Sequence, residues 1–486
     1  MLLLQKNIST TINIIDLYIQ FCLYSNCSLT IIKEITMKKI LLLSVVASSI
    51  LLAGGDIAPV EEVAPEVSMW DFSGQAVAFL QTVDAHNDAS LFDHYTTYGS
   101  VGLQLRAVNK DIFAGIGAGV EVSGIAQSEK FSHVTLQTDT NPNGFRFPFQ
   151  GGGDAQVESA AITQVYLTYG FGNTALKIGR QTLPKSLSPF AYTEGWQVFK
   201  NTLDAALVVN TDLPDTTLVY AAVGAANSSI GRLDSFDKIN ENGNVVHMLT
   251  AQNKSFEGLT LTGTYYYAPD MVGNGLDANI LWGDAKYKFS DYLFAVQGGQ
   301  LSGDTLEDTN AFGVMAAGKW DIFGASVAYS SVSDGDLRVT NLATGSQIGT
   351  NPDGSQKRIQ GVKSPLYTQM VLDNIGNHQA INSDWIKVAA NAKLFGGKLG
   401  LAWGMAIDNN SPFSGETGSA FGKNPYEVDV TYKIKVFEDV TLFAAYVYTD
   451  RDHNHGIILN PDGTQKYPVH NEDGDNFVRL WARYNF

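Results

Sequence analysis

The chain has 486 residues, of which 44% are hydrophobic and only 17% carry a formal charge. No shift in composition divides its second half into separate domains, which favours one large architecture. The net charge is −17 at pH 7, with 49 acidic and 32 basic residues. This balance argues against a nucleic-acid partner, because phosphate groups would be repelled.

Residues 37–53 form a predicted secretory signal peptide. They begin with Met37, Lys38 and Lys39, and an apolar run follows to the end of the segment. The run is about fourteen residues long, which is too short for an ordinary membrane-spanning helix. Because a complete signal begins only at Met37, residues 1–36 are interpreted as a mis-assigned upstream extension. An unusually long signal segment is the alternative.

The segments around the signal indicate passage into the periplasm. Residues 54–68 are rich in Pro, Glu and Val, and their prolines disfavour regular structure, so they are predicted to be a short periplasmic lead-in. The only cysteines, Cys22 and Cys27, lie upstream of the signal. The secreted chain would therefore contain no thiol, which suits an oxidising compartment.

Alternation with a period of two dominates residues 69–486 and predicts β-strands. In the last strand Val478, Leu480, Ala482, Tyr484 and Phe486 share one face, and the side chains between them share the other. One face suits lipid and the other suits water. The same alternation is found at 101–107, 386–394 and 426–434.

Connections of two lengths alternate along the chain, as in bacterial barrels with short periplasmic turns and long external loops. Short turns are expected at 109–111, 172–173, 211–215, 253–258, 290–291, 321, 396–397 and 436–439. Long segments are expected at 84–98, 128–157, 183–199, 226–244, 269–276, 303–310, 334–383, 409–424 and 451–475. The pattern predicts an all-β fold, a closed transmembrane antiparallel β-barrel of about eighteen strands.

Four features resemble the Gram-negative porins, and more narrowly the Opr-type porins and the major outer membrane proteins of Campylobacter-like bacteria. They are the signal at 37–53, the strand end Lys177-Ile178-Gly179-Arg180-Gln181, the segment Ser188-Pro189-Phe190-Ala191-Tyr192 and the terminal Phe486. The aromatic terminus, with Tyr484, resembles the signal that the barrel-assembly machinery recognises. The resemblance also implies a homotrimer in the cell outer membrane.

In that family the third external loop folds into the barrel and sets its narrowest point. The third long segment here is 183–199, and Lys185 and Glu194 could place charges of both signs at a constriction. The candidate wall residues opposite this loop are Arg106, Glu121, Arg180, Lys387, Arg479 and Arg483. Strict alternation would turn Arg180 outward, so its inward placement requires a bulge at Gly179 or a position above the lipid.

The predicted function is passive diffusion of small hydrophilic solutes and ions across the outer membrane, without enzymatic activity. A substrate-specific channel and a surface adhesin or receptor barrel are the alternatives. A rim hydrolase is disfavoured, because no histidine lies beside a nucleophile motif. No cofactor is required. Metal binding by His453, His455 and His470, or calcium at Asp473 and Asp475, has no ligand spacing that demands it.

Overall fold

The computed structural model describes residues 70–84, 90–92, 97–127, 158–227, 232–240, 244–271, 276–344, 363–372, 381–410, 424–450 and 474–486. The predicted upstream extension, signal peptide and lead-in lie outside the described residues. So do the three loop histidines and Asp473.

One 19-stranded antiparallel sheet contains all the strands of the described residues. They are β1 (Asp71–Val83), β2 (Thr97–Phe113), β3 (Ile116–Gln127), β4 (Ser159–Phe171), β5 (Thr174–Gln181), β6 (Leu203–Asn210), β7 (Thr216–Asn227), β8 (Phe236–Lys238), β9 (Val246–Asn253), β10 (Leu259–Ala268), β11 (Ala278–Phe289), β12 (Tyr292–Gly303), β13 (Thr309–Trp320), β14 (Phe323–Val332), β15 (Ser383–Leu394), β16 (Gly397–Asn409), β17 (Tyr426–Lys435), β18 (Val440–Asp450) and β19 (Asp475–Asn485). The short β8 pairs only with the end of β7, and β7 also pairs with β9. The other eighteen strands form the wall, as the sequence predicted.

The sheet closes where the first strand meets the last. β1 pairs with β2 on one side and with β19 on the other. The backbone amide of Phe486 donates to the carbonyl of Gly74 at 3.0 Å, and the amide of Gly74 donates back at 2.7 Å. Closure leaves no unpaired wall edge, which hydrocarbon could not satisfy with hydrogen bonds.

Two neighbouring rows across β11 to β15 show how the pairing register separates the two faces of the wall. Directly paired residues of an antiparallel sheet point to the same side. The outer row is Ala285, Val296, Val314, Tyr329 and Ile386. The inner row, one residue away, is Asp284, Gln297, Gly313, Ser330 and Trp385. The outer row is apolar, as a lipid-facing surface requires.

The connections of the described residues follow the predicted alternation, with one correction. The first turn was expected at 109–111, but β2 continues to Phe113 and turns at Ala114 and Gly115, which both have positive φ. The register is irregular between Asn109 and Phe113. The side chain of Asp111 accepts the amide of Gly115 at 3.0 Å, which stabilises the extended hairpin.

Regular helix is scarce in the described ranges, where Leu342–Thr344 forms a single 3₁₀ turn. None of their helices is long and apolar enough to cross a membrane.

The two faces of β14 give a direct test of the barrel's orientation. Val327 lies on the outer face and is 45% exposed, whereas Ser326 lies on the inner face. We expect Val327→Lys to lower the free energy of unfolding from lipid bilayers by about 2–4 kcal/mol, because an ammonium would face hydrocarbon. The matched Ser326→Lys should cost much less. Equal losses in a denaturant titration monitored by tryptophan fluorescence would contradict this assignment of faces.

Candidate functional site

At least two connections of the described residues pack inside the barrel. We call residues 182–202, between β5 and β6, inner loop A. We call the described residues 333–344 and 363–372, between β14 and β15, inner loop B. Their contacts with inward-facing side chains of the wall define the bore.

Inner loop A is held by an apolar core inside the barrel. The ring of Phe190 is fully buried, with its centroid 5.2 Å from that of Trp282 and 5.9 Å from that of Tyr266. The inner faces of β6, β7 and β9 are apolar in this region, and they pack with loop A rather than facing water. The wall residues of this core include Leu203, Ala205, Val219, Val223, Val246 and Met248.

Glycines in the wall let both inner loops approach its backbone closely. A methyl group at Gly102 would lie 2.7 Å from the ring of Phe199 in loop A. A methyl group at Gly404 would lie 2.8 Å from the sulfur of Met370 in loop B. Any side chain at these positions would displace a loop from the wall.

Asn341 joins the two inner loops. Its side chain accepts the amide of Tyr192 at 3.1 Å and donates to the carbonyl of Tyr192 at 2.9 Å. It also donates to the carboxylate of Glu194 at 2.7 Å. Both Asn341 and Glu194 are buried. Glu194, expected at a constriction, therefore lies in the junction between the loops instead of facing open water.

Two predicted arginines on β19 hold loop A from the opposite side. Arg479 is fully buried and donates to the carbonyl of Trp196 at 2.9 Å and to the side chain of Gln81. Arg483 donates to the carbonyl of Gln197 at 2.8 Å. Charge-assisted bonds of this kind are stronger than neutral ones. Both arginines lie inside the barrel, where alternation predicted them.

Loop B is held by charged side chains on β15 and β17. The ammonium of Lys387 donates to the carbonyl of Gln369. Buried Glu427 accepts the amide of Leu372 at 2.7 Å, and Asp429 accepts the amide of Val371 at 3.2 Å. Lys387 is thus inward, as predicted, and contacts loop B.

The wall at β2 to β5 carries the remaining predicted pair. Arg106 and Glu121 are directly paired across β2 and β3 and both point inward. Glu121 is buried and accepts hydrogen bonds from Thr163 and Gln164. Arg106 donates to the hydroxyl of Tyr166 at 3.0 Å. Lys177 was not among the predicted lumen residues, and its ammonium lies 3.8 Å from the ring centroid of Tyr166.

The predicted lumen position of Arg180 is wrong. Arg180 pairs with Val165, which is 50% exposed on the outer face, while its neighbour Gly179 pairs with inward Tyr166. The guanidinium forms a bidentate ion pair with Asp204 at 2.7 and 3.0 Å. Strict alternation across β5 is kept, so no bulge turns this side chain into the bore.

The sequence predicted a long external loop at 334–383, but it did not predict that this segment packs inside the barrel, and it did not single out Lys286 or Lys363. Lys286 faces the bore from β11 and forms an ion pair with Asp284. Lys363 lies at the start of the second part of loop B and donates to the carbonyl of Val371. The alternation in β11 already contained the signal for Lys286, because Asp284 and Lys286 are two residues apart on one face.

Lys185 is exposed to the water of the bore and donates to the carbonyl of Ser364 in loop B at 2.9 Å. Desolvation by the enclosing protein lowers the pKa of its ammonium from 10.5 to about 8, and nearby lysines add to this shift while Glu194 opposes it. The ammonium is therefore charged below about pH 8 and neutral above it.

No family model and no curated protein sequence matches this chain. Its fold is similar to that of the outer membrane protein opdK from Pseudomonas aeruginosa, at 13% identity and a TM-score of 0.57, over 86% of this chain and 99% of that one. It is also similar to Pseudomonas aeruginosa OccK2 (OpdF) in complex with glucuronate, at 10% identity and 0.57, over 86% and 98%. Acinetobacter baumannii OccAB4 matches at 12% identity and 0.57, over 87% and 99%.

At these identities the similarity is one of fold. It confirms the barrel expected from the resemblance to Opr-type porins, and the resemblance to Campylobacter-like proteins stays a prediction. The closed wall and its apolar outer face agree with the predicted location in the outer membrane.

The low pKa of Lys185 predicts a pH-dependent ion preference. As the pH rises through about 8, loss of this positive charge inside the barrel should shift the reversal potential in a salt gradient toward cations. Lys185→Met should make that change of reversal potential smaller than in the wild type. A variant that keeps a change of the same size would contradict this source of the charge.

Removing the side chain of Asn341 should loosen the contact between the two inner loops. Asn341→Ala removes three hydrogen bonds between the inner loops, so we expect larger and more frequent conductance fluctuations in single-channel recordings. Asn391, exposed on the inner face of β15, supplies the matched control Asn391→Ala. Indistinguishable traces from the two variants would show that the junction does not position the loops.

Proposed function

We propose that this chain forms an outer-membrane channel that passes small anions, carboxylates in particular, through a narrow, water-filled bore. The observation that carries the proposal is that four carboxylates inside the barrel are buried whereas the lysines there are not. Glu121, Glu194, Glu427 and Asp429 are buried and accept hydrogen bonds from the wall or the inner loops. The lysines around the bore are exposed or half-buried.

This difference in exposure determines what a solute in the bore meets. A buried carboxylate that is already hydrogen-bonded contributes little to binding at the water surface, whereas an exposed ammonium attracts anions directly. Charges on the walls of a narrow aqueous passage also focus the field along it. The bore would therefore favour anions although the whole chain carries an excess of acidic residues.

Two structures with similar folds support the carboxylate class. Pseudomonas aeruginosa OccK2 (OpdF) was solved with glucuronate, and OpdK of the same organism with vanillate. Both ligands are small carboxylates. The two inner loops packed inside the barrel favour a substrate-selective channel over the general-diffusion porin expected from the sequence.

The end of the last strand bears on how the barrel is assembled in the membrane. Tyr484 and Phe486 are exposed on the outer face at the end of β19, where the assembly machinery could bind them. The homotrimer stays a prediction from the resemblance. An adhesin or receptor barrel remains the rival, and a steady open current would count against a plugged receptor.

Replacing a lysine inside the barrel with an acidic residue should change the ion selectivity in a known direction. Lys433 is exposed on the inner face of β17, and Lys254 is exposed in the turn after β9. We expect the purified protein to prefer anions in a potassium chloride gradient, and Lys433→Glu to shift the reversal potential toward potassium. The matched Lys254→Glu should shift it much less, because its charge lies outside the bore.

Liposome swelling measures solute choice directly. Glucuronate should enter faster than a neutral sugar of similar size. Equal entry rates for glucuronate and the sugar, together with a reversal potential that shows no ion preference, would favour general diffusion. The absence of any current or swelling would leave a receptor barrel.

A further inference from the structure

Four lysines from separate parts of the chain converge on one segment of inner loop B, residues 363–371. Lys185 comes from inner loop A, Lys286 from β11 and Lys387 from β15, while Lys363 begins the segment itself. We call them the lysine cluster. Like charges repel, so their convergence needs a reason beyond the folding of the loop.

Each ammonium touches this segment. Lys185 donates to the carbonyl of Ser364 at 2.9 Å, and Lys387 donates to the carbonyl of Gln369. Lys363 donates to the carbonyl of Val371. The fourth ammonium, that of Lys286, lies 5.7 Å from the ring centroid of Tyr367. The segment thus keeps the four charged ends on one part of the bore wall.

The cluster keeps donors for a ligand. An ammonium has three N–H donors, and Lys185 and Lys387 each use one on a loop carbonyl within the described residues. Lys185 is exposed, and the side chain of Lys286 is 41% exposed although it is paired with Asp284.

The carboxylate of Asp284 lies 2.9 Å from the ammonium of Lys286, and three further carboxylates neighbour the cluster. Glu427 and Asp429 accept backbone amides of loop B, and Glu194 accepts the side chain of Asn341. All three are buried. They offset part of the repulsion among the lysines, but they do not cover the ammonium groups that face the water.

We propose that the lysine cluster is a binding subsite for multiply charged oxyanions, such as polycarboxylates or phosphate-bearing solutes. A single carboxylate can contact one or two of the ammonium groups, whereas an anion with several charged oxygens can contact more of them at once. The attraction grows with the charge of the anion. This inference rests on the proposed anion channel and narrows the substrates of the same bore.

Block of single-channel current tests the subsite. Pyrophosphate and citrate, added to wild-type channels in planar bilayers, should interrupt the chloride current at concentrations at least about tenfold below those at which acetate does, because each extra charge-assisted contact contributes of the order of a tenfold factor. Stronger block by pyrophosphate would show that the subsite prefers phosphate-bearing solutes. Stronger block by citrate would show that it prefers polycarboxylates.

Three variants locate the effect. Lys185→Met should weaken the block by roughly tenfold, and Lys185→Arg should retain it. Lys319, exposed on the inner face of β13 near its periplasmic end, supplies the control Lys319→Met, which should leave the block unchanged.

The outcomes separate this inference from the proposed function. A steady anion current that acetate, citrate and pyrophosphate block equally would overturn the subsite alone. Equal weakening of the block by Lys185→Met and Lys319→Met would overturn its location. A wild-type protein without any current would overturn the channel and the subsite with it.

Discussion

The whole structure depends on the pairing of β1 with β19. A membrane offers no hydrogen-bond partner to an exposed strand edge, so a sheet can lie in it only when its first and last strands meet. Here that closure runs to the last residue, because the backbone of Phe486 exchanges two hydrogen bonds with Gly74. The chain end therefore belongs to the wall itself. Once the wall is closed, every inward side chain faces the interior of the barrel, and many of them pack against an inner loop.

Part of the barrel interior is an apolar core. Loop A covers the apolar inner faces of β6, β7 and β9, and loop B joins the same core through Leu337, Val339 and Leu366. Charged anchors then fix the far sides of both loops, with Arg479 and Arg483 for one and Lys387 for the other. Hydrophobic burial thus fixes one side of each loop, and charge-assisted hydrogen bonds fix the other.

Local patterns predicted the wall well and the inner loops poorly. Alternation identified the strands and placed Arg479 and Arg483 inside, because the side-chain period of a strand is a local property. Alternation also placed Arg180 outside, where the structure has it. The lumen position that was expected for Arg180 went against this pattern and was wrong. Loop B has no period to detect. Its link to loop A joins Asn341 to Tyr192 across a sequence separation of 149 residues, which no local pattern encodes.

Net charge is a poor guide to what a channel conducts. The chain carries −17 overall, and a calculation from that total alone would predict a preference for cations. Selectivity depends instead on which charges keep their donors or acceptors open to the narrow water column. The carboxylates that accept the backbone amides of the loops are themselves buried, which keeps them away from solutes. Within the part of the chain that the structure describes, Lys185 and Lys387 each use one donor on a loop carbonyl. Because an ammonium has three donors and a loop carbonyl occupies only one, anchoring a loop with a lysine leaves it able to bind anions.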